Sequence, residues 1–193
     1  MIDTIRAAVA DSLELQKSFF RDRADLVAQV AGEIARAFAA GNKVMLFGNG
    51  GSAADAQHLA AEWVGRFRRE RPPLPALALG TDPAIVTAVG NDYGFEQVFA
   101  RQLRALGRAG DVAVALSTSG RSPDVLAAVD AALEMGLVTV GLTGGGGGAL
   151  GSRVRYHLNV PHPVPARVQE VHILIGHLLC QLTEDALAPE ARG

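Results

Sequence analysis

Little in this chain would carry it out of a reducing compartment or across a bilayer. It holds one cysteine, Cys180, in 193 residues, so no internal disulfide can form, which fits a reducing cytoplasm. That cysteine lies in the apolar run ILIGHLLCQL with no activating base beside it, and it reads as a small core residue rather than a nucleophile. No stretch approaches the roughly 20 uninterrupted apolar residues of a membrane helix. The opening MIDTIRAAVADSLELQKSFF carries acids early and lacks a basic start followed by an apolar block, so no signal peptide is expected. Charge of one sign is scarce too. A net charge of -2 offers no electrostatic case for nucleic acid or an anionic membrane as the main partner. The basic run RFRRER (66–71) reads as a solvated helix end. No linker, repeat or second domain is evident.

What is present is globular. Hydrophobic residues make up 49% and charged residues 20%, and the length suffices to bury one full core. Two helical segments come first, about 3–20 and 22–40, with Gly41 as a helix stop. From there short apolar runs alternate with helices. KVMLFG (43–48), LPALALG (74–80), DVAVALS (111–117), LVTVGLTG (137–144) and VRYHLNV (154–160) read as strands, and a long helix closes the chain at about 165–187. This alternation predicts an α/β fold, a parallel sheet covered on both faces, with ligands beyond the carboxyl ends of the strands. The glycine turn at 48–51, the segment STSGRS (117–122) and the run after Thr143 then share one rim. The glycines 144–148 are expected to be a mobile connection.

GNGGS between a strand and a helix exposes backbone N–H groups at the positive end of the helix, a geometry that suits anions. Gly48, Gly50 and Ala53 also satisfy a relaxed dinucleotide fingerprint. That fingerprint needs an acid about 20 residues on, at the end of the second strand, and Asp82 lies too far along, so the fit is poor. No Lys-Ser/Thr follows the glycines, so there is no P-loop. STSGRS places the hydroxyls of Ser117, Ser119 and Ser122 within six positions. Single hydroxyls at a helix start are usually caps, but this density on the binding rim favours a cradle for a sugar phosphate.

Behind the glycine turn, His58, Glu62 and Arg66 follow at intervals of four, opposite the apolar stripe Ala53, Ala56, Ala60, Trp63, Val64 and Phe67. Such a line is ordinarily a solvated face with weak i,i+4 contacts. Here the polar wedge is narrow and borders the anion turn. His and Glu at that spacing can share a metal, and the closing helix offers Gln169, His172 and His177 as further candidates. His172 borders the apolar stripe and reads as a packed histidine. Gln169 and His177 are about 12 Å apart along a helix, so spacing alone does not bring them to one ion.

GNGGSAADAQHLAAEWVGRF, AVGNDYGFEQVFARQ, LSTSGRSPDVL and VQEVHILIGH together resemble the phosphoheptose isomerases of the sugar isomerase (SIS) domain superfamily, and the resemblance spans essentially the whole chain. It implies a three-layer α/β/α sandwich with a five-stranded parallel sheet, a single SIS domain over 1–193. Helices in 1–41 would serve packing and oligomerisation. It further implies a cytoplasmic homotetramer with sites at subunit interfaces, interconverting sedoheptulose 7-phosphate and D-glycero-D-manno-heptose 7-phosphate through an enediol. That product feeds heptose synthesis for surface polysaccharide such as lipopolysaccharide. Carried over, Glu62 is the base and His177 its acid partner. His58, Glu62, Gln169 and His177 match zinc ligands. Asn49, Gly50, Gly51, Ser52, Glu62, Arg66, Asn91, Asp92, Ser117, Thr118, Ser119, Ser122 and Gln169 match substrate-binding positions. The segment VPAR departs from the pattern, since some members carry an acid near Ala166. A non-catalytic SIS scaffold or sugar-phosphate-sensing regulator is the alternative; such proteins share the glycine turn but typically lose the carboxylate at the position of Glu62.

Overall fold

The computed structural model describes residues 1–187. A long helix α1 (Ile2–Ala39) leads into β1 (Val44–Gly48), α2 (Gly51–Val64), β2 (Ala76–Ala78) and α3 (Pro83–Tyr93). A 3-10 turn at Phe95–Gln97 precedes α4 (Val98–Leu106), β3 (Val112–Ser117), α5 (Pro123–Glu134), β4 (Val138–Gly144), β5 (Tyr156–Val160) and α6 (Pro165–Leu187). The five strands form one sheet in the order β2-β1-β3-β4-β5, and every pairing is parallel.

The strands alternate in which face they feed, although both faces are apolar. Val44 and Leu46 of β1, with Val112, Val114 and Leu116 of β3, pack under α1, α2 and α6. Met45 and Phe47, with Ala113 and Ala115, pack under α4 and α5. Helices therefore cover the sheet on both sides, giving the expected three layers. Among the described residues no helix is long and apolar enough to cross a membrane. Cys180 is buried in the first of these cores, and burial pushes its thiol well above the usual range. His172 is buried as well, with Nε2 3.0 Å from the Thr143 carbonyl oxygen.

Two expectations change. The N-terminal pair of helices is one continuous helix. The junction Phe20-Arg21-Asp22-Arg23 contains no glycine or proline to break it, and Arg21 and Asp22 pair on its exposed side. The basic run 66–71 is not a solvated helix end. α2 stops at Val64 and Gly65, and Arg71 turns inward to a buried ion pair with Glu184 at 3.0 Å.

The strand order reverses at β1, which lies between β2 and β3. The crevice beyond the carboxyl ends of β1 and β3 is thus the switch point where ligands of such sheets bind. The glycine turn and the serine segment leave from those two strands.

Candidate active site

The turn after β1 depends on residue 50. Gly50 has φ 57 and ψ −121, a conformation that a side chain strongly disfavours. No side chain caps α2 there, so the positive end of the helix faces the rim. Ser52 is buried behind the turn. Asn49 is held by its amide Nδ2, which donates to Asp124 Oδ2 at 2.8 Å. Asp124 is buried in the first turn of α5, and its carboxylate fixes which way the Asn49 amide points.

The serine segment folds back on itself. Ser117 Oγ lies 3.5 Å from Ser119 Oγ and 3.2 Å from Ser122 Oγ. The N–H of Gly120 donates to Ser117 Oγ and that of Arg121 to Ser119 Oγ, each at 3.2 Å. Hydroxyls thus converge beside backbone donors at the start of α5. The glycine run after Thr143 is a wall of this cradle rather than a loose connection. A Cβ on Gly148 would come within 2.6 Å of the carbonyl oxygen of Ser119, so only glycine permits this contact. Gly144 N–H donates to the Thr118 carbonyl at 3.0 Å, and Asn159 Nδ2 donates to the Gly145 carbonyl, also at 3.0 Å. Between these segments lies a cavity of about 210 Å³, lined by Thr118, Ser119, Arg121, the glycines and His162.

The helices α2 and α6 lie side by side and parallel. Gln169, near the head of α6, packs on Gly51 at the head of α2, where a Cβ would meet the Gln169 amide at 2.5–3.0 Å. Two turns further along, His177 reaches His58, their Nε2 atoms 2.9 Å apart. Glu62 Oε1 lies 3.4 Å from His58 Nε2. The rings of His58 and His177 meet edge to face, centroids 5.1 Å apart, and Phe67 flanks His177 at 5.6 Å. Asp55, one turn before His58, has one buried carboxylate oxygen without a partner. Burial raises its pKa, and the charge of His58 opposes that rise.

One donor atom from each of His58, Glu62 and His177 lies within 4.8 Å of the others. This set fits a metal. Imidazole and carboxylate are normal zinc donors, and tetrahedral bonds of about 2.0–2.1 Å separate neighbouring nitrogens by about 3.3 Å. Two Nε2 atoms aimed at each other at 2.9 Å leave room for only one shared proton, so as a bare hydrogen bond the arrangement uses just one of the pair as donor.

Other expected residues lie elsewhere. Arg66 falls past the end of α2 and is therefore off the line of His58 and Glu62; its Nε sits 3.7 Å from Glu70 Oε2 in solvent. The expected i,i+4 series fails because the helix ends at Gly65. Asn91 and Asp92 bond each other at 2.8 Å on α3, which buries none of its residues and packs on the 3-10 turn and α4. Sequence reasoning passed over Asp124 and Arg121. Arg121 stood inside the serine motif and was legible there; Asp124 looked like an ordinary acid in the first turn of a helix. A cavity of about 660 Å³ beside Phe38, Leu74 and Leu187 contains none of the three clustered residues.

The SIS domain family matches residues 9–144. A phosphoheptose isomerase from Nitratidesulfovibrio vulgaris (strain DSM 19637 / Miyazaki F) is 53% identical over 191 residues, 97% of this chain and 92% of that protein. One from Aquifex aeolicus (strain VF5) is 49% identical over 185 residues, 96% and 97% of the two. The solved phosphoheptose isomerase from Neisseria gonorrhoeae superimposes with a TM-score of 0.90 at 42% identity, covering 95% of this chain and 98% of that one. The one from Francisella tularensis gives 0.92 at 38% identity, with the same coverage.

Proposed function

This chain belongs to the phosphoheptose isomerases of the SIS domain family, and from that premise we propose that it interconverts sedoheptulose 7-phosphate and D-glycero-D-manno-heptose 7-phosphate. The observation that carries the reading is the convergence of Glu62 and His177 beside His58 on α2 and α6, in a fold whose switch-point rim carries a hydroxyl cradle. The phosphate sits in the cradle of Ser117, Thr118, Ser119 and Ser122. Asn49, Gly50, Gly51 and Gln169 lie beside it at the heads of α2 and α6, with Ser52 behind the turn. Fixing the sugar by its charged end converts the reaction into a positioned, unimolecular event.

Aldose–ketose isomerisation moves one proton between C1 and C2. Glu62 takes the proton from C1 of the open-chain ketose, and His177 gives a proton to the carbonyl oxygen at C2, leaving a neutral enediol. Return of the proton from Glu62 to C2, with loss of the C1 hydroxyl proton to His177, yields the aldose. His58, Glu62 and His177 would hold a zinc ion, which when bound supplies Lewis-acid polarisation of the sugar oxygens; Gln169, expected as a fourth ligand, packs on Gly51 two turns away in the same chain.

The working form is a homotetramer with each site completed at a subunit interface, and the partner is a small sugar phosphate. Two bare apolar surfaces support this: Ile2, Ile5, Val9 and Leu13 along α1, and Ile85, Tyr93 and Phe95 on and after α3. Asn91 and Asp92 lie on that second surface, and Arg66 also lies exposed, so these three are available to a site shared between chains. The non-catalytic scaffold is not favoured, because Glu62 and His177 are both present and lie together. Glu62→Gln keeps the shape and removes the base. Solvent proton exchange at C1 and C2 of sedoheptulose 7-phosphate is expected to fall about 10²–10⁴-fold; a rate within tenfold of the unsubstituted chain would overturn the assignment.

A further inference from the structure

Neither catalytic helix is held at its far end by apolar contact alone. α2 ends at Val64, where the Gly65 N–H takes the Ala61 carbonyl, so the carbonyls after Ala61 have no partner within the helix. Arg71 supplies one. Its Nη2 donates to the Glu62 carbonyl at 3.0 Å, and its Nη1 to the Trp63 carbonyl at 2.8 Å, with a longer reach to Gly65 at 3.3 Å. A buried guanidinium caps the C-terminus of the helix that carries Glu62, where a cation is favoured by the helix dipole.

Its counter-charge comes from α6. Arg71 Nε donates to Glu184 Oε1 at 3.0 Å. The same carboxylate accepts the backbone N–H groups of Phe67 at 3.1 Å and of Arg68 and Arg69 at 2.8 Å. Glu184 is 2% exposed at its side chain and Arg71 10%, so the pair is desolvated and fully bonded rather than a surface bridge. Burial alone would raise the Glu184 pKa; the three N–H donors and Arg71 outweigh it and hold the carboxyl below its usual range.

Glu184 lies two turns beyond His177 on the same helix. Two turns of α6 before Glu184, next to His177, the two helices approach so closely at Gly176 that a Cβ there would meet Leu59 Cγ at 3.0 Å. The contact at Gly176 and the ion pair bracket His177. Between them they leave one separation for α2 and α6 at the level where Glu62, His58 and His177 meet.

We propose that Glu184 and Arg71 are positioning residues for the isomerase reaction, setting where the Glu62 carboxylate stands relative to His177 without touching the sugar. This rests on the isomerase reading above. Both residues act through the backbone of Glu62 and the loop that follows α2. The phosphate cradle, built on β3, α5 and the glycine run, is independent of them.

The test uses Arg71→Lys, which keeps the charge opposite Glu184 but loses the planar fork that reaches two carbonyls at once, together with Glu184→Gln. Arg69→Ala, in the same loop with its side chain on exposed Asp185, is the control. For Arg71→Lys we expect kcat to fall at least tenfold with KM for sedoheptulose 7-phosphate within twofold, because a displaced base slows chemistry while the phosphate is still held. Arg69→Ala is expected to match the unsubstituted chain. If Glu184→Gln fails to fold, Arg71→Lys decides the matter. Unchanged kcat in folded Arg71→Lys overturns the proposal, and so does a loss of activity that only tracks the fraction of unfolded protein. A crystal structure of Arg71→Lys gives a readout free of turnover: the 2.9 Å His58–His177 and 3.4 Å His58–Glu62 separations are expected to change. If the unsubstituted chain turns over no heptulose phosphate, the functional reading fails by itself. The brace then stands or falls on whether those separations move.

Discussion

His172 makes the fold sensitive to acid in a way that can be worked out. Its ring is fully buried on α6. Nε2 lies 3.0 Å from the Thr143 carbonyl, so Nε2 carries the hydrogen and donates it. Nδ1 is buried with no partner. Protonation would place a second N–H at Nδ1 with no acceptor and a charge where there is no water. Burial accordingly pushes the pKa from 6.5 to about 4, although the bond to Thr143 works against it. A histidine whose pKa is lower folded than unfolded contributes stability that is complete above pH 6.5 and is lost as the pH falls toward 4. The full difference corresponds to about 3 kcal/mol at about 1.4 kcal/mol per unit, and about 2 kcal/mol is already gone at about pH 5. Thr143 is the last residue but one of β4, from which the glycine wall departs, so the same protonation is expected to loosen the binding rim. Urea unfolding at about pH 7.5 and 5, at fixed protein concentration, measures the effect against His172→Gln, whose amide can still donate to Thr143. The unsubstituted chain is expected to lose about 2 kcal/mol more than the variant between those conditions. Equal losses would refute the reasoning.

Asp124→Ala is expected to release the Asn49 amide, removing a hydrogen bond to a buried charge worth about 1.5–3 kcal/mol. Tm should fall and KM for the sugar phosphate rise, while an unchanged KM would show that Asn49 needs no such support. Cys180, buried with its thiol pushed up by desolvation, is expected to stay unmodified by a thiol reagent at neutral pH until denaturant is added; rapid labelling of the native protein would contradict its place in the core.

Much of this architecture is local, and the sequence alone determined it. The apolar runs at 44–48, 112–117 and 138–144 had to be strands buried on both faces. Strand–helix alternation then fixed a parallel sheet, and with it the rim that carries GNGGS and STSGRS. Side chains within one turn of each other, such as His58 and Glu62 or Ser117 and Ser119, were legible because the backbone between them has only one regular form. Where that form stops is decided by weaker signals. The junction at residues 20–23 looked like a break and is none, while Gly65 ends α2 and strands Arg66 outside the line it was read into.

Only the tertiary structure decided what meets across the fold. His177 reaches His58 because α6 lies parallel to α2, with Gln169 against Gly51 at one end and Glu184 against Arg71 at the other. No spacing in the chain encodes that register; it follows from how two apolar helix faces share one side of the sheet. Asp124 and Glu184 look like ordinary helix acids in the sequence. Burial, which no single position reports, turns the first into the support of Asn49 and the second into the counter-charge of Arg71. Desolvation and partner geometry are properties of the packed molecule, and so the pattern supplied the reacting groups while the packing supplied their distances.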